Sequence, residues 1–341
     1  MKNYKDKECE RQQSLIDTSG LFNGTLGGGR FIGKERPFVL TDGNYNLYEP
    51  IREGVIQYFK DNNIGWWGGS KPSGHVLSSQ IACVNHLFLV RNDADAVLAI
   101  LNNILNEFIE VLPVPSDATP AFIAFEVVSD SDHLNEGSST RGSNCTSIDT
   151  FIYARHKSGE TWLIPIEWKY TEHYNNQDKS HEDREGEDKG TNGKGKERMS
   201  RYNDLITSST QLKSLDDYAG SLYYFEPFYQ LMRQTLWAEK MVLNKDTERL
   251  KADNYLHVHV IPSENDELLL KKYKVSGKEM EKSWREMLTD QSKYVIIDPE
   301  NLLAPIASQY PALIDYLSTR YWNKKGLCPN LKLLNFHWNK R

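Results

Sequence analysis

The residues best suited to chemistry in this chain are Asp149, Glu167 and Lys169, which lie at one end of a predicted β-hairpin. Residues 156–160, with the sequence His-Lys-Ser-Gly-Glu, are typical of a three-residue hairpin loop whose glycine takes the left-handed conformation. Counting outward from this loop puts Asp149 directly opposite Glu167. Opposed Cβ atoms in such a pair lie about 5 Å apart, so a single cation could bridge the two carboxylates.

Side chains alternate along a strand, and this alternation gives the hairpin one charged and one apolar face. Glu167 and Lys169 share the charged face, with Ser147 opposite Lys169. The apolar face carries Ile148, Ile152, Trp162, Ile164, Ile166 and Trp168. A one-residue slip would move Asp149 into the apolar core, so the pattern itself predicts the register.

The three charged side chains suit the hydrolysis of a phosphodiester with the help of a divalent metal. Mg²⁺ prefers hard oxygen ligands and keeps several waters, and Asp149 and Glu167 supply such oxygens. The bound ion would polarise a phosphate oxygen and acidify an attacking water, and Lys169 would stabilise the charge that develops. The alternative interpretation is a surface hairpin with an ordinary Glu–Lys pair. The apolar strand that leads into Glu167 favours the metal site.

The motif that ends in Asp149, followed by Glu167-Trp168-Lys169 after an apolar strand, resembles the PD-(D/E)xK nuclease superfamily. The first motif reads Ser-Ile-Asp here, where the superfamily pattern has Pro-Asp. Residues 74–86, 141–172 and 257–262 are similar to a bacterial branch of restriction-endonuclease-like proteins, and the resemblance spans residues 36–323.

This resemblance implies an α/β fold, in which a restriction-endonuclease-like core with a central mixed β-sheet is flanked by helices and has helical additions at both termini. It also implies a metal-dependent endonuclease that hydrolyses DNA, with Mg²⁺ as cofactor and Mn²⁺ as a substitute. The metal ligands would be Asp149, Glu167 and the backbone carbonyl of Trp168. Two alternatives stay open: a nuclease that acts on RNA, and a nuclease-fold protein that binds nucleic acid or a partner protein without cutting.

Glu126, Gln80 and Ser147 are further candidates for the site. Glu126 precedes the hairpin and would be a third carboxylate near the metal if its strand pairs with the hairpin; the alternative is an edge residue that faces solvent. Gln80 lies early in a helix, where the superfamily often has an acidic residue, so we expect it to position a water. We expect Ser147 to contact the substrate.

A predicted helix that begins near Pro227 carries Gln230, Arg233 and Gln234 on neighbouring turns. By resemblance this helix lies beside the active site, so we expect Gln230 and Arg233 to contact the substrate. An ordinary ion pair is the alternative for Arg233.

His257 and His259 share one face of a predicted strand and are residue types that bind metals. No third His or Cys lies near them in the sequence, so a structural role is favoured for both.

The pattern of apolar residues predicts three regions. Residues 1–35 have few periodic apolar positions, which predicts a partly disordered N-terminal arm. Residues 36–262 would hold the nuclease core, with a mobile loop at about 174–201 where apolar residues are nearly absent. Residues 263–341 would form a mostly helical extension packed on the core. Helices are predicted at 48–62, 78–90, 93–111 and 226–243, and strands outside the hairpin at 121–129 and 255–261.

The composition limits the class of protein. The chain has 341 residues, 39% of them hydrophobic, a net charge of −6 and four widely separated cysteines. No stretch is apolar for long enough to cross a bilayer, and no apolar signal region follows the N-terminus. The cysteines suit free thiols, so we expect a cytoplasmic protein. DNA is the expected partner, held through a local basic groove, and a homodimer is expected because double-strand cutters of this fold often need two sites.

Overall fold

The computed structural model describes residues 2–115, 120–137, 145–182 and 193–322. A seven-stranded mixed β-sheet lies at its centre with helices on both faces, so the expected α/β architecture with a restriction-endonuclease-like core is confirmed. The strands are β1 (Arg30–Phe31), β2 (Lys34–Glu35), β3 (Phe108–Leu112), β4 (Ile123–Val127), β5 (Ile148–His156), β6 (Thr161–Trp168), β7 (Asn254–Tyr255), β8 (His257–Val260) and β9 (Tyr294–Ile297). The α-helices are α1 (Tyr4–Thr18), α2 (Arg52–Asp61), α3 (Ser79–Leu87), α4 (Ala94–Ile104), α5 (Lys194–Thr207), α6 (Phe228–Leu243), α7 (Asp266–Leu269), α8 (Met280–Glu286), α9 (Pro299–Leu303) and α10 (Pro311–Arg320).

The central sheet combines an antiparallel half with a parallel half. Its order is β3-β5-β6-β8-β9; β4 pairs with β5 beyond the end of β3, and β7 pairs with β6 before β8 begins. The strands β3, β4 and β6 run antiparallel to their partner β5, whereas β6, β8 and β9 run parallel. The strand β6 joins the two halves, because it pairs with β5 on one side and with β8 on the other.

The hairpin has the register that the loop sequence predicts. The backbone N–H of His156 donates to the carbonyl of Glu160 at 2.9 Å, and Gly159 has a φ of 90°. The ladder then pairs Arg155 with Thr161 and continues to Thr150 opposite Ile166. The next residues along each strand are Asp149 and Glu167, so the expected register is confirmed up to the edge of the charged group.

Two apolar cores cover the two faces of the sheet. Ile152, Ile164 and Trp168 pack against α2, α3, α4 and α10, whereas Phe151 and Leu163 pack against α5, α6 and α8. The hairpin strand β6 is therefore buried on both faces, as its long apolar run indicates.

The prediction that Ile148 shares a face with Ile152 is wrong. Ile148 packs in the second core with Phe151. A backbone irregularity lies close by, in the neighbouring strand β4. Glu126 has a φ of 51° there, between the pairs Phe125–Thr150 and Val127–Ile148. A left-handed residue breaks the regular alternation of a strand, and the sequence pattern of the hairpin gives no sign of it.

The N-terminal region differs from the disordered arm that its sequence predicts, since residues 4–18 form α1. Polar contacts hold this helix against the core. The side-chain amide of Gln12 is fully buried and donates to the Tyr170 hydroxyl at 3.0 Å and to the Arg320 carbonyl at 2.6 Å. A helix that is held by buried polar groups shows no apolar periodicity in its sequence. The sequence pattern therefore does not predict α1.

The segment expected to be a mobile loop also contains regular structure. A 3-10 turn covers Lys179–His181, and α5 begins at Lys194, inside the predicted loop. The apolar face of α5 is supplied mainly by Tyr202 and Ile206, which lie beyond the polar run. Residues 183–192 of this segment lie outside the described residues.

Two element boundaries differ from the sequence prediction. The helix predicted for 93–111 ends at Ile104, and the chain then enters β3. The Asn102 side chain explains this turn, because its amide donates to the carbonyl of Phe108 and accepts the Phe108 N–H, both at 3.0 Å. At the other end of the chain β9 belongs to the central sheet, so the core extends past residue 262.

None of the described helices is long and apolar enough to cross a membrane. Cys9, Cys83 and Cys145 are free thiols, as expected, and Cys328 lies outside the described residues.

Candidate active site

Asp149, Glu167 and Lys169 meet at the open end of the hairpin. The Oδ2 atom of Asp149 accepts the backbone N–H of Trp168 at 2.8 Å, so the carboxylate is fixed to the backbone between Glu167 and Lys169. Glu167 is the last but one residue of the buried strand β6 and is 1% exposed; Lys169 directly follows the strand and is 5% exposed. The structure therefore places Asp149 beside the backbone between Glu167 and Lys169, although only Asp149 of the three lines the main cavity.

Lys169 is held between a carboxylate and an amide. Its Nζ atom donates to Oε1 of Glu167 at 2.5 Å and to Oε1 of Gln230 at 2.6 Å. Gln230 lies in the first turn of α6, so the prediction that this helix lies beside the site is consistent with the geometry. A fixed ammonium in a nearly water-free setting is well suited to stabilise negative charge.

Gln234 is a site residue whose role the sequence analysis missed. Its side-chain amide donates to Oε2 of Glu167, and its Oε1 atom pairs with Nε2 of His257 at 3.0 Å. The Nδ1 atom of the same histidine lies 3.3 Å from Oγ1 of Thr235. Burial lowers the pKa of His257 to about 3, so the ring stays neutral. The spacing of four residues between Gln230 and Gln234 is the signal that could have found the second glutamine, since it puts both on one helix face.

Glu126, Gln80 and Ser147 form a second hydrogen-bonded group. Oε1 of Glu126 accepts the Gln80 amide at 2.7 Å, and Oε2 accepts the Ser147 hydroxyl at 2.9 Å. Gln80 also accepts the backbone N–H of Trp67 at 3.0 Å, so it ties the loop before α3 to the sheet. Glu126 is thus held in the structure and does not simply face solvent, and Gln80 has the geometry of a positioning residue. Ser147 contacts Glu126, whereas the sequence register places it opposite Lys169.

A cavity of about 670 Å³ opens in front of this group. Asp149, Glu126 and Ser147 line it from the sheet, and Glu172 and Trp67 line it from the surrounding loops. Glu172 was not predicted as a site residue; its Oε2 atom accepts the backbone N–H of Tyr170 at 2.6 Å. The cavity is large enough to receive part of a substrate, with Asp149 at its wall.

The electrostatics of the group favour a cation. Burial, together with the carboxylates of Glu167 and Glu126, raises the pKa of Asp149 well above its usual range, although Lys169 acts in the opposite direction. Burial alone would lower the pKa of Lys169, but Glu167 and the other nearby acidic groups raise it well above its ordinary value. The ammonium therefore stays charged, whereas burial and the neighbouring carboxylates disfavour the ionised form of Asp149. A divalent ion at the carboxylates would favour that ionised form.

The carboxylates at this site are oxygen donors of the type that a magnesium ion prefers. Within the described ranges no three His, Cys, Asp or Glu side chains converge closely enough to hold a metal. Magnesium is usually held by one or two carboxylates and keeps several waters, so Asp149 and Glu167 suffice. The backbone carbonyl of Trp168 would add a hard oxygen. His257 and His259 are both buried, and Nδ1 of His259 pairs with the Tyr294 hydroxyl at 2.9 Å, in agreement with a structural role.

Arg233 makes the ion pair that the sequence left as the alternative. Its guanidinium lies 3.1 Å from Oε1 of Glu136 and donates to the Thr146 hydroxyl at 3.1 Å. It also lines a second cavity, which lies between α5 and α6. Arg233 is therefore near the hairpin but does not share the group around Lys169.

The α/β fold with its central mixed sheet is consistent with a restriction-endonuclease-like core. The chain matches the family described as Restriction Endonuclease associating with ARP over residues 25–322. Since the match covers most of the chain, the protein belongs to that family. No curated protein and no solved structure matches the chain.

Proposed function

We propose that the protein is a Mg²⁺-dependent endonuclease of the PD-(D/E)xK type that hydrolyses phosphodiester bonds in DNA. The observation that carries the proposal is the contact of Asp149 with the backbone between Glu167 and Lys169, at 2.8 Å. Two carboxylates and an ammonium are costly to bury together. A reaction on a phosphodiester uses all three.

Each residue has a defined part in this proposal. Asp149 and Glu167 would hold the ion, with the backbone carbonyl of Trp168 as a third protein ligand. Magnesium, when bound there, polarises a phosphate oxygen and lowers the pKa of a water. Lys169 would orient the attacking water and stabilise the charge that develops on the phosphate. Gln234 would keep the Glu167 carboxylate in place through their hydrogen bond.

Glu126 and Gln80 would act at the wall of the main cavity. Glu126 would be a third carboxylate near the metal, held in place by its hydrogen bonds from Gln80 and Ser147. Its left-handed backbone, with a φ of 51°, is strained for a non-glycine residue. Strain of this kind is often found at functional sites. Ser147 and Gln230 would contact the substrate, and a homodimer would supply two such sites for the two strands.

A cleavage assay on matched DNA and RNA duplexes in Mg²⁺, in Mn²⁺ and in EDTA tests the proposed function. We expect DNA to be cut with Mg²⁺ or Mn²⁺ and to stay intact in EDTA. Cleavage of the RNA duplex but not of the DNA duplex would show that RNA is the substrate. Binding of the duplexes without cleavage in any metal would establish the non-cutting alternative and overturn the proposal.

A further inference from the structure

The second cavity, between α5 and α6, has a volume of about 460 Å³ and is unusually basic for this chain. Five cationic side chains line it: Lys179, Lys194, Arg198, Arg201 and Arg233. Three carboxylates line it too, so the cationic groups exceed the anionic ones by two. The whole protein has a net charge of −6. The cavity is therefore a local site of positive charge on an acidic protein.

Three of these cations surround one aromatic ring. Lys179, Arg198 and Arg233 lie 5.6, 5.7 and 5.5 Å from the ring centre of Tyr229. Tyr229 is 6% exposed, so the ring forms the base of the cavity and brings the three positive groups towards each other. Two of the three are arginines, whose planar guanidinium groups match the geometry of phosphate oxygens.

Ion pairs hold at least four of these five cations. Arg198 pairs with Glu182, and Arg201 pairs with Glu197. Arg233 pairs with Glu136 at 3.1 Å, and Lys179 pairs with Glu226 at 3.5 Å. A guanidinium has five N–H donors, so one ion pair leaves donors for a further anion. The ion pairs fix the directions of long side chains in advance, which reduces the entropy that binding would otherwise remove.

The cavity lies beside the catalytic group, on the same helix. Tyr229 precedes Gln230, which accepts the hydrogen bond from Lys169. On the sheet side, Arg233 donates to the hydroxyl of Thr146, three residues before Asp149. The cavity therefore lies next to the residues around Lys169 along α6 and next to Asp149 along the chain.

We propose that this cavity is a second phosphate-binding subsite, which receives a backbone phosphate of the nucleic acid strand beside the bond that is cut. The proposal rests on the proposed nuclease function, because it takes the scissile phosphate to lie at Asp149. It deepens that function by naming the residues that hold the strand. The subsite would also allow an acidic protein to bind a polyanion, because a local positive charge attracts phosphates even where the net charge of the protein is negative.

The salt dependence of binding tests this subsite directly. Binding of a fluorescent DNA duplex would be measured by anisotropy over a range of NaCl concentrations, in EDTA so that the duplex stays whole. The variants are Lys194→Ala, Arg198→Ala and the double variant, with Arg198→Lys as the charge-preserving form. Lys60→Ala is the matched control, because Lys60 is an exposed lysine of α2 outside the cavity lining.

We expect each single variant to weaken binding, and the slope of log affinity against log salt to fall by about one for each phosphate contact removed. Arg198→Lys should keep most of the affinity, and Lys60→Ala should leave both quantities unchanged. In cleavage the cavity variants should raise KM far more than they lower kcat. Circular dichroism of the double variant checks that α5 is still formed.

The outcomes separate this inference from the proposed function. Wild-type affinity and slope in the double variant, in a protein that cuts DNA, would overturn the subsite alone. Loss of affinity in the variants of a protein that never cuts would support the subsite and overturn the nuclease. An equal loss of affinity in Lys60→Ala would show that the effect comes from overall charge and would contradict the subsite. If the wild-type protein did not bind DNA at all, both the subsite and the nuclease function would be contradicted.

Discussion

Asp149 and Trp168 are joined by a hydrogen bond of 2.8 Å from the backbone N–H of Trp168 to Oδ2 of Asp149. This bond connects the first strand of the hairpin to the residue between Glu167 and Lys169. It fixes the carboxylate where burial and two other acidic groups raise its pKa. The position is thus unfavourable for the isolated protein at neutral pH and favourable once a cation is bound.

Asp149→Asn should therefore make the metal-free protein more stable while it abolishes cleavage. The amide oxygen can still accept the Trp168 N–H, but the buried charge is gone. A raised pKa in the folded state means that the carboxyl stabilises the fold when protonated and that this stability is lost as the pH rises through the folded pKa. The variant should have the higher Tm in EDTA at pH 7, as measured by calorimetry. A lower Tm would show that the ionised carboxylate stabilises the fold.

Lys169→Arg should lower kcat by about 10²–10³-fold, the usual effect of losing one group that stabilises a transition state. Arginine keeps a positive charge beside the buried Glu167, so the fold should survive, but its planar group cannot take the place of a compact ammonium. Single-turnover cleavage would measure the effect. Lys157→Arg is the control, because Lys157 lies in the loop at the other end of the hairpin. Equal rates for wild type and Lys169→Arg would remove Lys169 from the reaction.

Gln234→Ala should weaken Mn²⁺ binding and activity by about 10- to 100-fold, which is typical for a residue that orients a metal ligand. The variant leaves Oε2 of Glu167 without the amide that holds it. Calorimetric titration with Mn²⁺ separates this effect from a loss of DNA affinity, which should stay unchanged. Gln57→Ala, on the exposed face of α2, is the control. An unaltered Mn²⁺ affinity in Gln234→Ala would show that Gln234 contributes to packing and does not orient a metal ligand.

The folded protein should lose stability between about pH 6.5 and pH 3, partly through His86. Burial lowers the pKa of His86 to about 3, whereas an unfolded histidine titrates near 6.5. The unfolded state therefore binds a proton first as the pH falls, with a slope of up to about 1.4 kcal/mol per pH unit. The neutral ring pairs with the Ala82 carbonyl at 2.7 Å and the Trp322 indole at 3.2 Å. His86→Gln keeps an amide donor and acceptor but does not titrate. Urea unfolding at several pH values should show a shallower decline for it, and parallel curves would contradict this account.

The sequence predicts the hairpin and the three charged residues because both follow from local rules. The loop at Gly159 sets the register, and alternation along β6 sets the buried face. Resemblance then supplied the neighbours Gln230 and Gln80, which the structure places near the predicted group. A structure that depends on neighbouring residues alone, such as this hairpin, can be predicted from the sequence.

The features that the sequence misses depend on contacts between distant residues. Glu126 is left-handed and Ile148 nearby packs in the second core, and no propensity of either residue indicates this. The helix α1 is anchored by Gln12 on Tyr170, a contact across the whole fold. The basic cavity likewise combines α5, α6 and the segment after the hairpin. Such positions are decided by tertiary packing, which overrides local preference.

The most direct test of the account is Mg²⁺-dependent cleavage of plasmid DNA by the wild-type protein and by Asp149→Asn, with circular dichroism of both. The account predicts cleavage by the wild type in Mg²⁺, none in EDTA, and none by the folded variant under either condition. Equal cleavage by the wild type and the folded Asp149→Asn variant would show that the reaction takes place elsewhere and would contradict the central claim.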